Sequence, residues 1–273
     1  MNRVPPVRLP VAPLILGAAL GTTILLVASG CAYQETAPPR PYLTSAPAAR
    51  PSPPKPSASP AAPATTPALT DAQAQAALVT DADLGEPWTP TQGAATWRDG
   101  FLKATATAPD CHRLLDALYA DDLLGSPARA AIGLDDEYDD AQLRYRISTR
   151  PPADVDRALA WLKGLPRTCG TFKAVGPRRE PVMVTVADAP LPEAGDARQG
   201  LRVTLTRGGE GDEGEGGEPV TLTLDVAAVR VGDDALTVTN GGLGEILDDS
   251  TWAAVELGAE RLTQVRKQGR VQV

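Results

Sequence analysis

The chain predicts an α+β fold: a twisted, largely antiparallel sheet flanked by helices, with a C-terminal amphipathic helix. Three observations carry this. β-branched or alternating runs fill the second half, at 182–187, 201–206, 220–231 and 235–239. Helical patterns are segregated from those runs, the clearest at 151–165 and 250–268, and such segregation favours antiparallel pairing over alternating strand–helix units. Gly232-Asp233-Asp234 between the last two runs is hairpin-turn chemistry.

In chain order, the first element lies outside that domain. Arg3 and Arg8 precede an uncharged run from Leu9 to Gly30, and Val27-Ala28-Ser29-Gly30 leads directly to Cys31. A basic start, an apolar stretch and small residues before a cleavage point form a secretory signal pattern. Because it ends on a cysteine, the segment resembles the lipobox of bacterial lipoproteins. That resemblance implies a signal peptide over 1–30, cleavage before Cys31, and a diacylglyceryl and palmitate anchor on Cys31. The mature chain would then sit on the outer face of the cell membrane, since two or more acyl chains hold where a single one does not. An uncleaved signal anchor is the other reading, because the apolar run is long enough to cross a bilayer. Both readings put the remainder outside the cytoplasm.

Residues 31–68 are rich in Pro, Ala, Ser and Thr with almost no apolar bulk, so they cannot build a core. An extended, polyproline-like tether is expected. A Pro-rich ligand or a glycosylated stalk is the functional alternative.

A single domain is expected over 69–273. Thr70-Asp71-Ala72-Gln73 has the form of a capping box leading into an alanine-rich helix that ends near Leu78. Leu84 to Trp88 reads as a turn, and 94–107 as a strand burying Trp97, Phe101 and Leu102. Pro109-Asp110 opens a helix in which Cys111, Leu114, Leu115 and Leu118 recur at spacings of three and four. Strands are expected at 128–134 and 143–149, joined by an acidic turn. Pro151 starts the next helix, with Val155, Leu159 and Leu162 on one face and Cys169 just beyond its end. After the strand-rich stretch, the last helix places Trp252, Val255, Leu262 and Val265 at core spacings, with Arg266 and Lys267 in its last turn.

Charge excludes one class of function. The full chain carries −8, and removing the two arginines of residues 1–30 takes it to −10, so no basic footprint for nucleic acid exists. Among the three cysteines, Cys111 and Cys169 remain as an even pair in an oxidising compartment, and a disulfide is the default. A metal pair and a nucleophilic thiol are the rival readings; a zinc site falls short of ligands in a chain whose one histidine is His112.

The order of these features resembles the PknH-like extracellular sensor domains of actinobacterial serine/threonine kinases, which also occur as stand-alone lipoproteins. The residues that carry it are the helix near Leu78, Pro109-Asp110-Cys111 with Leu114-Leu115, and the helix ending at Leu165 with Cys169 and Phe172. Gly195-Asp196 and Val229-Arg230-Val231-Gly232-Asp233 follow before a strand and a C-terminal helix. The resemblance implies an α+β domain with a ligand cleft, no catalytic activity, and the pair Cys111–Cys169. The family members borne on kinases carry two disulfides, whereas this chain can form one.

Catalytic and metal readings are weaker. His112 beside Cys111 does not make a dyad, because adjacent helical residues point about 100° apart. No nucleophile-elbow motif frames Ser126, Ser148 or Ser250, and no cofactor is expected. Two acidic clusters, Asp135-Asp136-Glu137-Tyr138-Asp139-Asp140 and Glu210–Glu218, lack EF-hand spacing and read as solvated loops. If either gathers calcium it is the first, through Asp135, Asp136, Asp139 and Asp140. Trp88, Trp97, Tyr119 and Tyr145 are the aromatic candidates for a ligand pocket. Core packing is the alternative for each, since the chain is only 4% aromatic. The expectation is a membrane-tethered, non-catalytic sensor that binds a small ligand or an envelope protein. An envelope assembly factor using the sheet for docking is the second reading, and a hydrolase with converging carboxylates the third.

Overall fold

The structure is a computed structural model that describes residues 68–125, 127–208 and 218–271. All of them belong to the second of the chain's two units, residues 62–273. The signal segment, Cys31, the tether over 31–67 and most of the Glu210–Glu218 cluster lie outside the described residues.

The described residues form nine strands and six helices. The order is α1 (Asp71–Ala76), α2 (Asp81–Leu84), β1 (Trp88–Pro90), α3 (Thr96–Phe101), β2 (Thr105–Ala106), α4 (Pro109–Tyr119), β3 (Ala130–Asp136) and β4 (Ala141–Thr149). It continues with α5 (Pro152–Thr168), β5 (Thr171–Val175), β6 (Pro181–Asp188), β7 (Ala197–Arg207), β8 (Val220–Val231), β9 (Asp234–Leu243) and α6 (Asp249–Val271). The strands make one sheet in the order β1-β3-β4-β9-β8-β7-β6-β5-β2. Every neighbouring pair is antiparallel.

Helices cover both faces of this sheet, and β8 shows how. Its side chains alternate with the pleat: Leu222, Leu224, Val226 and Ala228 enter one core while Ala227 and Val229 enter the other. The first core holds Trp97 and Phe101 of α3, the α4 leucines, Val155, Leu159 and Leu162 of α5, and the inward residues of β6 and β7. The second lies under α1 and α6 and takes Leu134, Leu143, Tyr145, Ile147, Leu236 and Val238 with Val255, Leu262 and Val265. Each such buried aliphatic side chain contributes about 1.5–3 kcal/mol.

Cys111 in the first turn of α4 is bonded to Cys169 at the C-cap of α5, closing a loop of 58 residues. Thr70 caps α1 through the expected box, its side chain accepting from Gln73 N at 3.2 Å while its own N–H donates to Gln73 Oε1 at 2.9 Å. One expectation fails: 94–107 is not a strand. Thr96–Phe101 is helical and only Thr105–Ala106 pairs, with β5. Trp97, Phe101 and Leu102 are buried as expected, in one core with α4 and α5, but they reach it from a helical turn rather than a strand, because packing overrides propensity. No described helix is long and apolar enough to cross a membrane.

Candidate functional site

The site begins with a polar row on the sheet face that α6 covers. Strand register sets Arg202 of β7 beside Asp225 of β8, and Asp225 beside Asn240 of β9. Asp225 is 3% exposed and accepts from Arg202 Nε at 2.7 Å and Nη2 at 2.8 Å. This two-point bond, the main cause, raises the already high pKa of the guanidinium. Asn240 is buried, and its Oδ1 has no partner.

Over this row lies the first turn of α6. Thr251 is 2% exposed, yet its Oγ1 is without a hydrogen bond. An unmet buried hydroxyl costs about 1–3 kcal/mol. Two tryptophans fix the turn around it. Trp88 Nε1 donates to Ser250 Oγ at 3.2 Å, and Trp252 Nε1 donates to the Pro190 carbonyl at 3.1 Å.

The β6–β7 connection supplies the other wall. It folds back onto β7 because Gly200 has no side chain: a Cβ there would sit 2.5 Å from the Ala189 carbonyl oxygen and 2.8 Å from Leu191 Cγ. Its far end is pinned by Asp196. The Asp196 N–H donates to the Arg230 carbonyl at 2.8 Å, and its carboxylate accepts from Gly232 N at 2.7 Å. Between this loop and α6 lies a cavity of about 130 Å³. Arg202 and Asp225 line it with Thr251, the Trp252 ring and Leu191, and Asp188 and Asp248 are also at its surface. It is small, half-open, and mixes apolar walls with a few fixed polar groups, as small-molecule sites do.

The expected aromatic pocket does not form. Trp88 and Tyr145 belong to the core under α6, Trp97 to the opposite core, and Tyr119 is 39% exposed at the end of α4. The sheet itself separates them. The Tyr119 hydroxyl donates to Asp99 Oδ1 at 3.1 Å, and Tyr145 is fully buried, which pushes its phenol pKa up. Trp252, expected on the buried face of the last helix, is instead 38% exposed and reaches the β6–β7 loop.

The four carboxylates of the calcium alternative are not brought together. Asp135 and Asp136 are successive strand residues and point to opposite faces. Asp135 accepts from Gln142 Nε2 at 2.7 Å, while Asp136 accepts from the N–H groups of Tyr138 and Asp139 at 2.9 and 3.2 Å. Asp139 and Asp140 are exposed in the turn. Among the described residues no group of three or more His, Cys, Asp or Glu side chains converges as a metal site requires. His112 lies at the surface, its Nε2 3.4 Å from Asp116 Oδ2 one turn on, and Cys111 beside it is spent in the disulfide.

Sequence reasoning missed Arg202, Asp225 and Thr251. Arg202 and Asp225 stand 23 residues apart, and register alone makes them neighbours. Arg202 and Asp225 both occupy polar positions of alternating strands, so the pattern itself gave no signal of the site.

No protein-family profile matches the chain, and no curated protein matches it. Among solved structures the chain is similar to the extracellular domain of PknH from Mycobacterium tuberculosis. The identity is 16% and the TM-score 0.42, over 74% of this chain and all of that one.

Proposed function

We propose that this chain is a lipid-anchored, extracytoplasmic binding protein that captures a small ligand and carries out no reaction of its own. The observation that carries the binding half is the cavity of about 130 Å³ at the start of α6, lined by Arg202, Asp225 and the buried Thr251, whose hydroxyl has no hydrogen-bond partner. The anchor half rests on the signal pattern ending at Cys31 and on the Pro-rich segment that follows. Kinship with the PknH-like sensor domains is part of the same reading and rests on the ordered sequence features given above.

Association is the mode of action this supports. A ligand in the cleft would add to the link that Trp252 already makes between α6 and the β6–β7 loop, and a bound ligand stabilises the folded state by mass action. The envelope assembly reading has no comparable feature in its favour.

Two measurements test the proposal. Labelled palmitate should enter the full chain and be absent from Cys31→Ser, with the protein cleaved by protease added outside intact cells. The full chain in detergent should gain several degrees of Tm with a small-molecule extract of the producing culture. An unlabelled or protease-shielded chain contradicts the anchor, and a Tm unmoved by every fraction contradicts ligand capture.

A further inference from the structure

We propose that the cleft at the start of α6 takes a small organic cation, an ammonium group on an apolar body, in preference to an anion. This rests on the reading of that cleft as a ligand site.

An arginine and a helix N-terminus suggest an anion site at first sight, and the charge balance reverses that. Arg202 spends Nε and Nη2 on Asp225, so the two charges cancel within one ion pair. The two other carboxylates that line the cavity make no ion pair among the described residues, although Asp248 is close enough for its charge to act on Arg202. Asp188 accepts only the neutral amide of Gln199, at 3.0 Å, and Asp248 makes no ion pair. The exposed Glu245 adds a third negative charge close enough to act on Arg202. Against these stands the N-terminal end of α6, equivalent to about half a positive charge. The cleft is therefore net negative by more than one charge.

Three further features suit an ammonium. The indole of Trp252 is 38% exposed and its N–H is taken by Pro190, which leaves the ring face to meet a cation. Thr251 Oγ1 is an acceptor without a donor at a buried position. Leu191 and Pro190 provide the apolar wall for the rest of the molecule. The volume, about 130 Å³, admits a body no larger than one ring and a short chain.

The test uses the full chain in detergent micelles with three probes that share a ring and differ in charge: 2-phenylethylammonium, 2-phenylethanol and phenylacetate. Binding is read by tryptophan fluorescence and by saturation-transfer NMR. The cation should bind about tenfold more tightly than the alcohol, a difference of about 1.4 kcal/mol, with phenylacetate weakest. Asp188→Asn with Asp248→Asn should bring the cation down to the alcohol's level and leave the alcohol unchanged, and Thr251→Val should weaken the cation severalfold. Circular dichroism and the oxidised intact mass verify that the variants fold. Equal binding of the three probes, or tightest binding of phenylacetate, overturns the charge preference while leaving the cleft as a ligand site. Failure of all three to bind overturns the preference, and a bound mass from native membranes mapped away from α6 overturns the cleft itself.

Discussion

Thr251, Asn240 and Tyr145 are buried beneath or within α6, and each keeps a polar atom without a partner. Tyr145 differs from the other two, because its hydroxyl meets Gly258 of α6 and lies in the core. Removing that hydroxyl deletes an unmet group, so Tyr145→Phe should leave stability unchanged or raise it by up to about 1 kcal/mol in urea denaturation. Gly258→Ala should lower it by about 1–3 kcal/mol, because the added methyl collides with the phenol although alanine is the better helix former. The reverse pair of outcomes would place a hidden partner on Tyr145. Asp83 offers a pH test. Hydrogen bonds from Arg261 of α6, the largest cause, hold its pKa at about 2 against the ordinary 3.8. A depressed pKa contributes stability that is whole above the unfolded value and is lost as pH falls through the folded one. Asp83→Asn should therefore cost about 1 kcal/mol at about pH 7, discounted for solvent at this site, and progressively less between about pH 4 and pH 2. A cost constant across that range would assign it to packing.

At the scale of elements, two fastenings hold the helices and the loop. The disulfide ties the start of α4 to the end of α5, and its loop of 58 residues predicts a loss of about 4 kcal/mol in Cys111→Ala with Cys169→Ala. A loss below about 1 kcal/mol would mean that α4 and α5 pack as well unlinked. The second fastening explains two sequence fragments used for the family resemblance. Gly195 takes φ +68, and a Cβ there would lie 2.5 Å from both the Arg230 carbonyl oxygen and Val229 Cγ1. With Asp196 bonded to Gly232 N, Gly195-Asp196 and Val229–Gly232 are one structural unit. Gly195→Ala should destabilise the domain by about 2 kcal/mol and speed hydrogen exchange in the 189–196 loop more than in α5. Unchanged exchange there would refute the pinning.

Most of these elements were legible in the sequence because their patterns are long. α5, α6, β8 and the capping box of α1 declare themselves through periodicity and end chemistry. Thr96–Phe101 did not, because a helix of six residues containing Trp, Gly and Phe, with no side-chain cap, shows no period. β1 and β5 are short strands of three and five residues, β1 at one edge and β5 next to the edge strand β2, too short to show a period of their own. The cleft was illegible for another reason. Arg202, Asp225 and Thr251 meet through register and helix placement, and an unpartnered hydroxyl is a property of its surroundings. The aromatic residues looked like a pocket as a list, and the two-sided core divides them.

At the scale of the whole domain, the nine strands lie between two helix layers, and the β6–β7 loop with the first turn of α6 forms the side that a ligand would bridge. A protein that captures a small molecule should carry some of it out of its native membrane. The decisive measurement is the mass of the full chain purified from its own envelope, recorded under native and then denaturing conditions. We expect the native mass to exceed the denatured one by a discrete small-molecule increment, lost in Thr251→Val. Equal native and denatured masses in envelope-derived protein would contradict ligand capture.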